Sequence, residues 1–265
     1  MQICTPAWYY RQQDANYSLK YPGEGYTGWS KLDATLDLDH TAVIVMHAWG
    51  IPPYEECPGV YHVCEYINRS NQIMANKFPA FLEAARKNAI RVIHVGEGTE
   101  DGLASIPGYQ RTVQKFGTTS YPQINMDAAT KHLWNQIYEN GLCSKENQRD
   151  FKRLRKEFAI RPLDHEDVAC TADQLFGLCQ EHEISHLIYT GFCVNACLTF
   201  SSCGFVDMVR RGLLCSIVAD LTTAVENKES CRDQQHLQYG LWQFASNCGL
   251  VFQSGDLMEA FKKLQ

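Results

Sequence analysis

Short apolar runs that alternate with helical stretches constrain this chain more than any other feature of its sequence. The first is Thr41-Ala42-Val43-Ile44-Val45-Met46-His47; Ile90–Val95, Phe158–Pro162, His186–Thr190, Leu213–Ala219 and Leu250–Phe252 follow. Runs this short and continuous suit strands buried on both faces of a parallel sheet. Segments of helical spacing lie between them. Ile67, Ile73, Met74, Phe78, Phe81, Leu82 and Ala85 share one face over residues 66–88, with Pro79 kinking that helix or opening a second segment. Thr171–His182 (Thr171 as its N-cap), Ala196–Arg211 and Cys231–Ser246 complete the set. Strand, helix, strand at this spacing gives right-handed βαβ units. The expected fold is α/β: a doubly wound, mostly parallel sheet with helices on both faces.

Residues 1–40, rich in Tyr, Gly, Asp and Gln, lack sustained periodicity and are expected to form an irregular N-terminal arm. Residues 41–265 then form a single domain with an insertion at about 98–150. An insertion that long often serves as a lid or an oligomer contact. Within it, Ser144–Phe158 reads as a basic amphipathic helix with a solvated face. The net charge of −6 argues against nucleic acid as a partner. No apolar run approaches membrane-spanning length, and the first residues show no signal-peptide pattern, so a cytoplasmic protein is expected. The 12 cysteines contain no CxxC pair, which disfavours a zinc ribbon and leaves them as mostly reduced, structural thiols.

In open α/β sheets ligands bind beyond the carboxyl ends of the strands. The His186–Thr190 run leads straight into Gly191-Phe192-Cys193-Val194-Asn195-Ala196-Cys197-Leu198. A cysteine in the first turn of a helix has its sulfur near the positive end of the dipole, which lowers the thiol pKa. Unpaired N–H groups around Ala196 and Cys197 can receive an oxyanion. Acyl transfer through a thioester needs this equipment.

A strand followed by Gly-x-x-x-Asn-x-Cys-Leu opening a helix resembles the isochorismatase-like cysteine hydrolase family, with Gly191, Asn195 and Cys197 in register. Asp173-Gln174-Leu175 with Leu178, Val206–Gly212, the Leu213–Ala219 strand with Asp220, and the Thr41–Val95 region extend the likeness on both sides. The resemblance implies a Rossmann-like three-layer fold and a triad of Asp, Lys and Cys, in which Cys197 is the nucleophile. It also implies a cis peptide near Phe192–Cys193 whose backbone, with Val194, Asn195 and Ala196, helps build the oxyanion site. A small-molecule substrate and a homo-oligomer, dimer or tetramer, are the implied partners.

The chain departs from the family pattern at two triad positions. His47 stands where the family's Asp closes the first strand; it could act as the base or simply pack at the strand end. Counting back from Thr171 puts Pro162 at the Lys position, with Arg161 adjacent as the cationic candidate. Val194 replaces the family's Thr. Trp49, Tyr54 and Tyr61 could wall a flat pocket or serve as packing. Asp164 is a conceivable substitute acid in the Asp164–Asp167 cluster, otherwise a solvated turn. Nicotinamidases of the family hold a metal through an Asp and two His after the opening strand. That loop here has His47, Glu55, Glu56, Cys57, His62 and Cys64 but no Asp-x-His, so no metal and no cofactor are expected. Three functions follow: a cysteine hydrolase of a small amide, ureido or related C–N substrate, a binding or scaffold protein that has lost hydrolysis, and a thiol redox protein using Cys193 and Cys197.

Overall fold

All six residues of the Thr41–Met46 run are buried in a strand. Ala42, Ile44 and Met46 enter one core, and Val43 and Val45 the other, as alternation along a strand covered on both faces requires. The computed structural model describes residues 1–118, 124–247 and 249–264. In chain order its strands are β1 (Gln2–Arg11), β2 (Gly28–Asp37), β3 (Thr41–Met46), β4 (Trp49–Gly50), β5 (Arg91–Val95), β6 (Glu157–Phe158), β7 (Asp167–Ala169), β8 (His186–Gly191), β9 (Leu214–Thr222) and β10 (Val251–Phe252). Eight of them form one sheet in the order β2-β1-β10-β9-β8-β3-β5-β7, parallel from β10 to β7. Helices cover both faces, so the expected doubly wound α/β class is what the chain adopts. No helix among the described residues is long and apolar enough to cross a membrane.

The N-terminal segment is not the irregular arm expected from its composition. β1 and β2 pair antiparallel over their full length, from Gln2↔Asp37 to Arg11↔Gly28, and β1 joins the main sheet beside β10 at Trp8↔Val251. Ile3, Thr5 and Ala7 alternate inward. The small and polar members of that face hide the period-two signal, while Trp8 and Tyr10 on the other face pack toward the Gln235–Asn247 helix.

The other differences have local causes. Pro79 opens a second helix, Phe78–Lys87, after Ile67–Asn76. Thr171 caps its helix as expected, its hydroxyl accepting from the Gln174 N–H at 3.2 Å. The strand expected over Phe158–Pro162 is not part of the main sheet; Glu157–Phe158 pairs with Trp49–Gly50 in a separate two-stranded sheet. The sheet strand is instead Asp167–Ala169, masked in the sequence by its acid. The insertion divides: Pro107–Phe116 packs over β7, whereas Ala128–Ile137 has no buried residue and leaves Leu133, Trp134 and Ile137 exposed. The described cysteines are free thiols, Cys248 lying outside the described residues.

Glu166 and Asp167 are buried rather than part of a solvated turn. Arg86 donates to both Glu166 carboxylate oxygens, at 2.7 and 2.9 Å, and His94 Nε2 to one at 3.1 Å. Burial alone would raise the Glu166 pKa, but these bonds and the Leu163 N–H hold it at about 2, below its ordinary 4.5. A carboxyl held lower in the folded state stabilises above its ordinary pKa, and that contribution is lost as pH falls through the folded value. Urea midpoints of the wild type are therefore expected to fall between about pH 5 and pH 2. Glu166→Gln should start lower, because Arg86 loses its charged partner, and should fall less steeply, keeping only the contribution of other lowered carboxyls such as Asp220 and Glu226.

Gly191 ends β8 at φ +109°, where a Cβ would lie 1.9 Å from the Met46 carbonyl oxygen. Gly191→Ala is expected to cost about 3 kcal/mol or more in urea unfolding.

Candidate active site

From β3 the chain winds outward through β5 to β7, and from β8 it winds the other way through β9 to β10. The β3–β8 boundary is thus the topological switch point, where the carboxyl ends of open sheets leave a crevice. β3 delivers His47 there, β5 delivers Glu97, and β8 delivers the turn that carries Cys197.

That turn is held from several sides. Phe192 N–H donates to Met46 O at 3.1 Å, Val194 N–H to Thr223 O at 2.8 Å, and the Phe192–Cys193 peptide is cis, as the family resemblance implied. The Asn195 side chain clamps the segment after β9, donating to Val225 O at 2.9 Å and accepting from Val225 N–H at 2.8 Å. The expected Ala196–Arg211 helix is broken into Cys197–Phe200 and Phe205–Arg210. Gly204 packs so closely there that a Cβ would meet Thr199 O at 2.8 Å. Ala196 and Leu198 N–H both donate to Cys193 O at 3.1 Å, so they are not the free oxyanion donors expected of them. The Asn195 and Cys197 N–H groups have no protein acceptor among the described residues.

His47, at φ +50°, is only 3% exposed, and neither ring nitrogen has a well-formed hydrogen bond. Its ring stacks on Trp49, with centroids 4.5 Å apart and planes 14° apart. Burial lowers its pKa to about 4 against the opposing pull of Glu100, so the imidazole is neutral at pH 7. Trp49 is fixed by its β4–β6 pairing with Phe158 and by donating its indole N–H to Glu100 at 3.2 Å. The same pairing carries Lys156, whose ammonium lies 4.5 Å from the Trp49 ring centroid and forms an ion pair with Glu97 Oε2. Glu97, His47 and Cys197 offer a carboxylate oxygen, a ring nitrogen and a sulfur that all lie within 4.8 Å of one another.

A cavity of about 140 Å³ opens on Cys197, with Trp49, Val60, Tyr66, Met74 and Phe192 among its apolar walls and Lys156 and His47 among its polar ones. The Cys197 thiol is raised above its ordinary value, contrary to the expectation from a helix start. Burial is the main cause and Glu97 adds to it, while Ser201, the Cys193 backbone and Lys156 pull the other way.

Of the expected residues, the structure brings Cys197, His47 and Trp49 together and places Cys193 to Ala196 in the supporting turn. It does not bring Arg161 or Asp164 to them. The Arg161 side chain is 79% exposed, pairs with Glu157 at 3.6 Å, and lines a different cavity together with Asp164. Tyr54 is exposed and packs edge-on against Tyr61 and His62. Cys193 is buried with its sulfur 3.4 Å from Thr223 Oγ1. Glu97 and Lys156 were missed. An acid between two glycines at the carboxyl end of a strand, Gly96-Glu97-Gly98, was the signal available for the first. Lys156 lay beyond ungapped counting because the stretch from β6 to β7 is longer than the count assumed.

The fold has solved counterparts. A cysteine hydrolase from Pseudomonas syringae pv. phaseolicola 1448A matches with a TM-score of 0.50 at 14% identity, over 87% of this chain and 96% of that one. An isochorismatase family protein from Burkholderia thailandensis matches with a TM-score of 0.42 at 14% identity, over 86% and 97%. An isochorismatase-like hydrolase from Alkaliphilus metalliredigens gives 0.44 at 13%, over 83% and 98%. The first of these likenesses shows that this chain has the isochorismatase-like α/β fold. No family model and no curated protein matches the sequence.

Because Asn195 makes both of its amide bonds to Val225, Asn195→Ala should cost about 2 kcal/mol in urea unfolding. It should also speed hydrogen exchange at the Val225 amide, which loses its acceptor.

Proposed function

We propose that the chain is a cysteine hydrolase of small, uncharged amide or ureido substrates, with Cys197 as nucleophile, Glu97 as its base and Lys156 as the cation that holds Glu97. The observation that carries this reading is the meeting of sulfur, carboxylate and imidazole within 4.8 Å beside an ammonium, with the sulfur, the imidazole and the ammonium at the wall of a small apolar cavity. His47 is a poor base for Cys197. Its pKa is displaced downward and that of the thiol upward, so proton transfer between them is more uphill than between the free groups. A carboxylate paired with a lysine can take that proton with Lys156 balancing the charge, the arrangement the family resemblance implies, with the acid supplied by β5 instead of β3.

In the proposed reaction Glu97 accepts the Cys197 proton as the thiolate attacks the carbonyl carbon. The C–N bond breaks, the amine leaves with the proton returned by Glu97, and a thioester remains. Water, deprotonated by Glu97, then releases the acid and restores the thiol. The Asn195 and Cys197 N–H groups are the donors left for the oxyanion. The neutral His47 ring, with no well-formed hydrogen bond at either nitrogen, suits a polar group of the substrate. The apolar walls suit a compact, flat or branched acyl group.

The test is hydrolysis of a panel of small neutral amides and ureides, with acyl-enzyme trapping at Cys197 read by mass spectrometry. Glu97→Gln should lower kcat about 10²–10⁴-fold. His47→Asn, which tolerates the left-handed backbone, should act mainly on KM. Turnover that survives Cys197→Ser would overturn the proposal. Absence of turnover and of any trapped adduct across the panel would favour a binding protein.

A further inference from the structure

We propose that Cys197, His47 and Glu97 also form a site for one divalent transition-metal cation, best matched to Zn²⁺, whose binding switches the nucleophile off. The ligand set does not depend on the hydrolase reading; the inhibitory consequence does. Zn–S distances of about 2.3 Å and Zn–N or Zn–O distances of about 2.0 Å place tetrahedral ligands about 3.3–3.5 Å apart. The three donor atoms, already within 4.8 Å of one another, need at most about 1.5 Å of closure, which side-chain torsions of Glu97 and Cys197 can supply.

His47 supplies the independent sign of a ligand. An imidazole that is 3% exposed and has no well-formed hydrogen bond at either nitrogen, only a weaker approach to the Gly96 backbone, is an unusual thing for a fold to keep. It is kept in a left-handed backbone conformation, of the kind that clusters at functional sites. Stacking on Trp49 fixes the plane of the ring. The outer contacts are those of a built site. Glu97 N–H and Gly98 N–H donate to the Glu100 carboxylate, which also accepts from Trp49. Lys156 engages Glu97 through Oε2, so Oε1 stays available to a cation.

The chemistry selects the ion. A thiolate and an imidazole beside one carboxylate disfavour Ca²⁺ and Mg²⁺, which want oxygen ligands, and suit Zn²⁺. Binding displaces the Cys197 proton, and the thiolate and the Glu97 carboxylate then balance the charge of the cation beside the cavity that Cys197 and His47 line. The fourth position faces that cavity and takes water. With its lone pair on the metal, the sulfur no longer attacks, and removing the cation restores it.

The experiment is a Co²⁺ titration of the chelator-stripped protein, followed by the thiolate-to-cobalt charge-transfer band, with Zn²⁺ as competitor. One equivalent should saturate the wild type, and Zn²⁺ should abolish the band. Cys197→Ser should lose the band, and His47→Asn and Glu97→Gln should each raise Kd more than about tenfold, with circular dichroism confirming that the variants are folded. Bound Zn²⁺ should block iodoacetamide alkylation of Cys197, and chelation should restore it. No band in the wild type, or a band of equal strength in Cys197→Ser arising from exposed thiols such as Cys4 and Cys231, would overturn the inference. The two proposals fail separately. Amide turnover without cobalt binding removes the metal site alone, and a Cys197-dependent band without turnover removes the hydrolase alone.

Discussion

Lys156 meets Glu97 only because the chain, after leaving the sheet beyond β5, returns as β6 against β4. That short pairing places the ammonium over the Trp49 ring and within reach of the carboxylate that β5 presents. Without the ion pair, the partly exposed Glu97 would face the half-buried Cys197 and the buried His47 with no cation beside it. With it, the carboxylate meets Cys197 and His47 with a cation beside it. Trp49 serves both sides of the arrangement, stacking on His47, bonding Glu100 and covering Lys156.

The electrostatics follow from the burial around Cys197 and His47. Burial raises the Cys197 thiol and lowers the His47 imidazole, so the resting site holds a protonated sulfur and a neutral ring beside one ion pair. Such a site gains from keeping its proton until a carbonyl carbon is in place, because attack and proton transfer to Glu97 can then proceed together. The expectation of a dipole-activated thiolate fails for a structural reason. The helix that begins at Cys197 ends at Phe200, and one turn carries little of the macrodipole.

The alternation of apolar runs carried the fold in the sequence, and the Gly191–Leu198 segment carried the location of Cys197. Continuous burial along β3, β5, β8 and β9 leaves an unmistakable pattern. β1 and β7 were illegible for opposite reasons. β1 mixes Thr, Pro and Tyr into its alternation, and β7 is three residues whose acid is satisfied by arginines distant in sequence. At the site, His47 and Trp49 could be read because they follow a clear strand. Lys156 could not, because the turns between β6 and β7 shift the register by an amount that pattern alone does not encode. Arg161 was the nearer cation in sequence, yet its side chain points into solvent.

The coupling of Cys197 to Glu97 and Lys156 is the claim on which the proposed chemistry stands, and the pH dependence of iodoacetamide alkylation at Cys197 measures it directly. The wild-type midpoint should lie above that of an ordinary thiol. Glu97→Gln, which removes the nearby negative charge, should move it down, and Lys156→Met should move it up. The same Glu97→Gln protein should alkylate faster near neutral pH and hydrolyse amides more slowly. That opposition separates a catalytic base from a merely structural acid. A midpoint common to all three proteins, or one that moves in the reverse sense, would contradict the coupling and with it the assignment of Glu97 as the base.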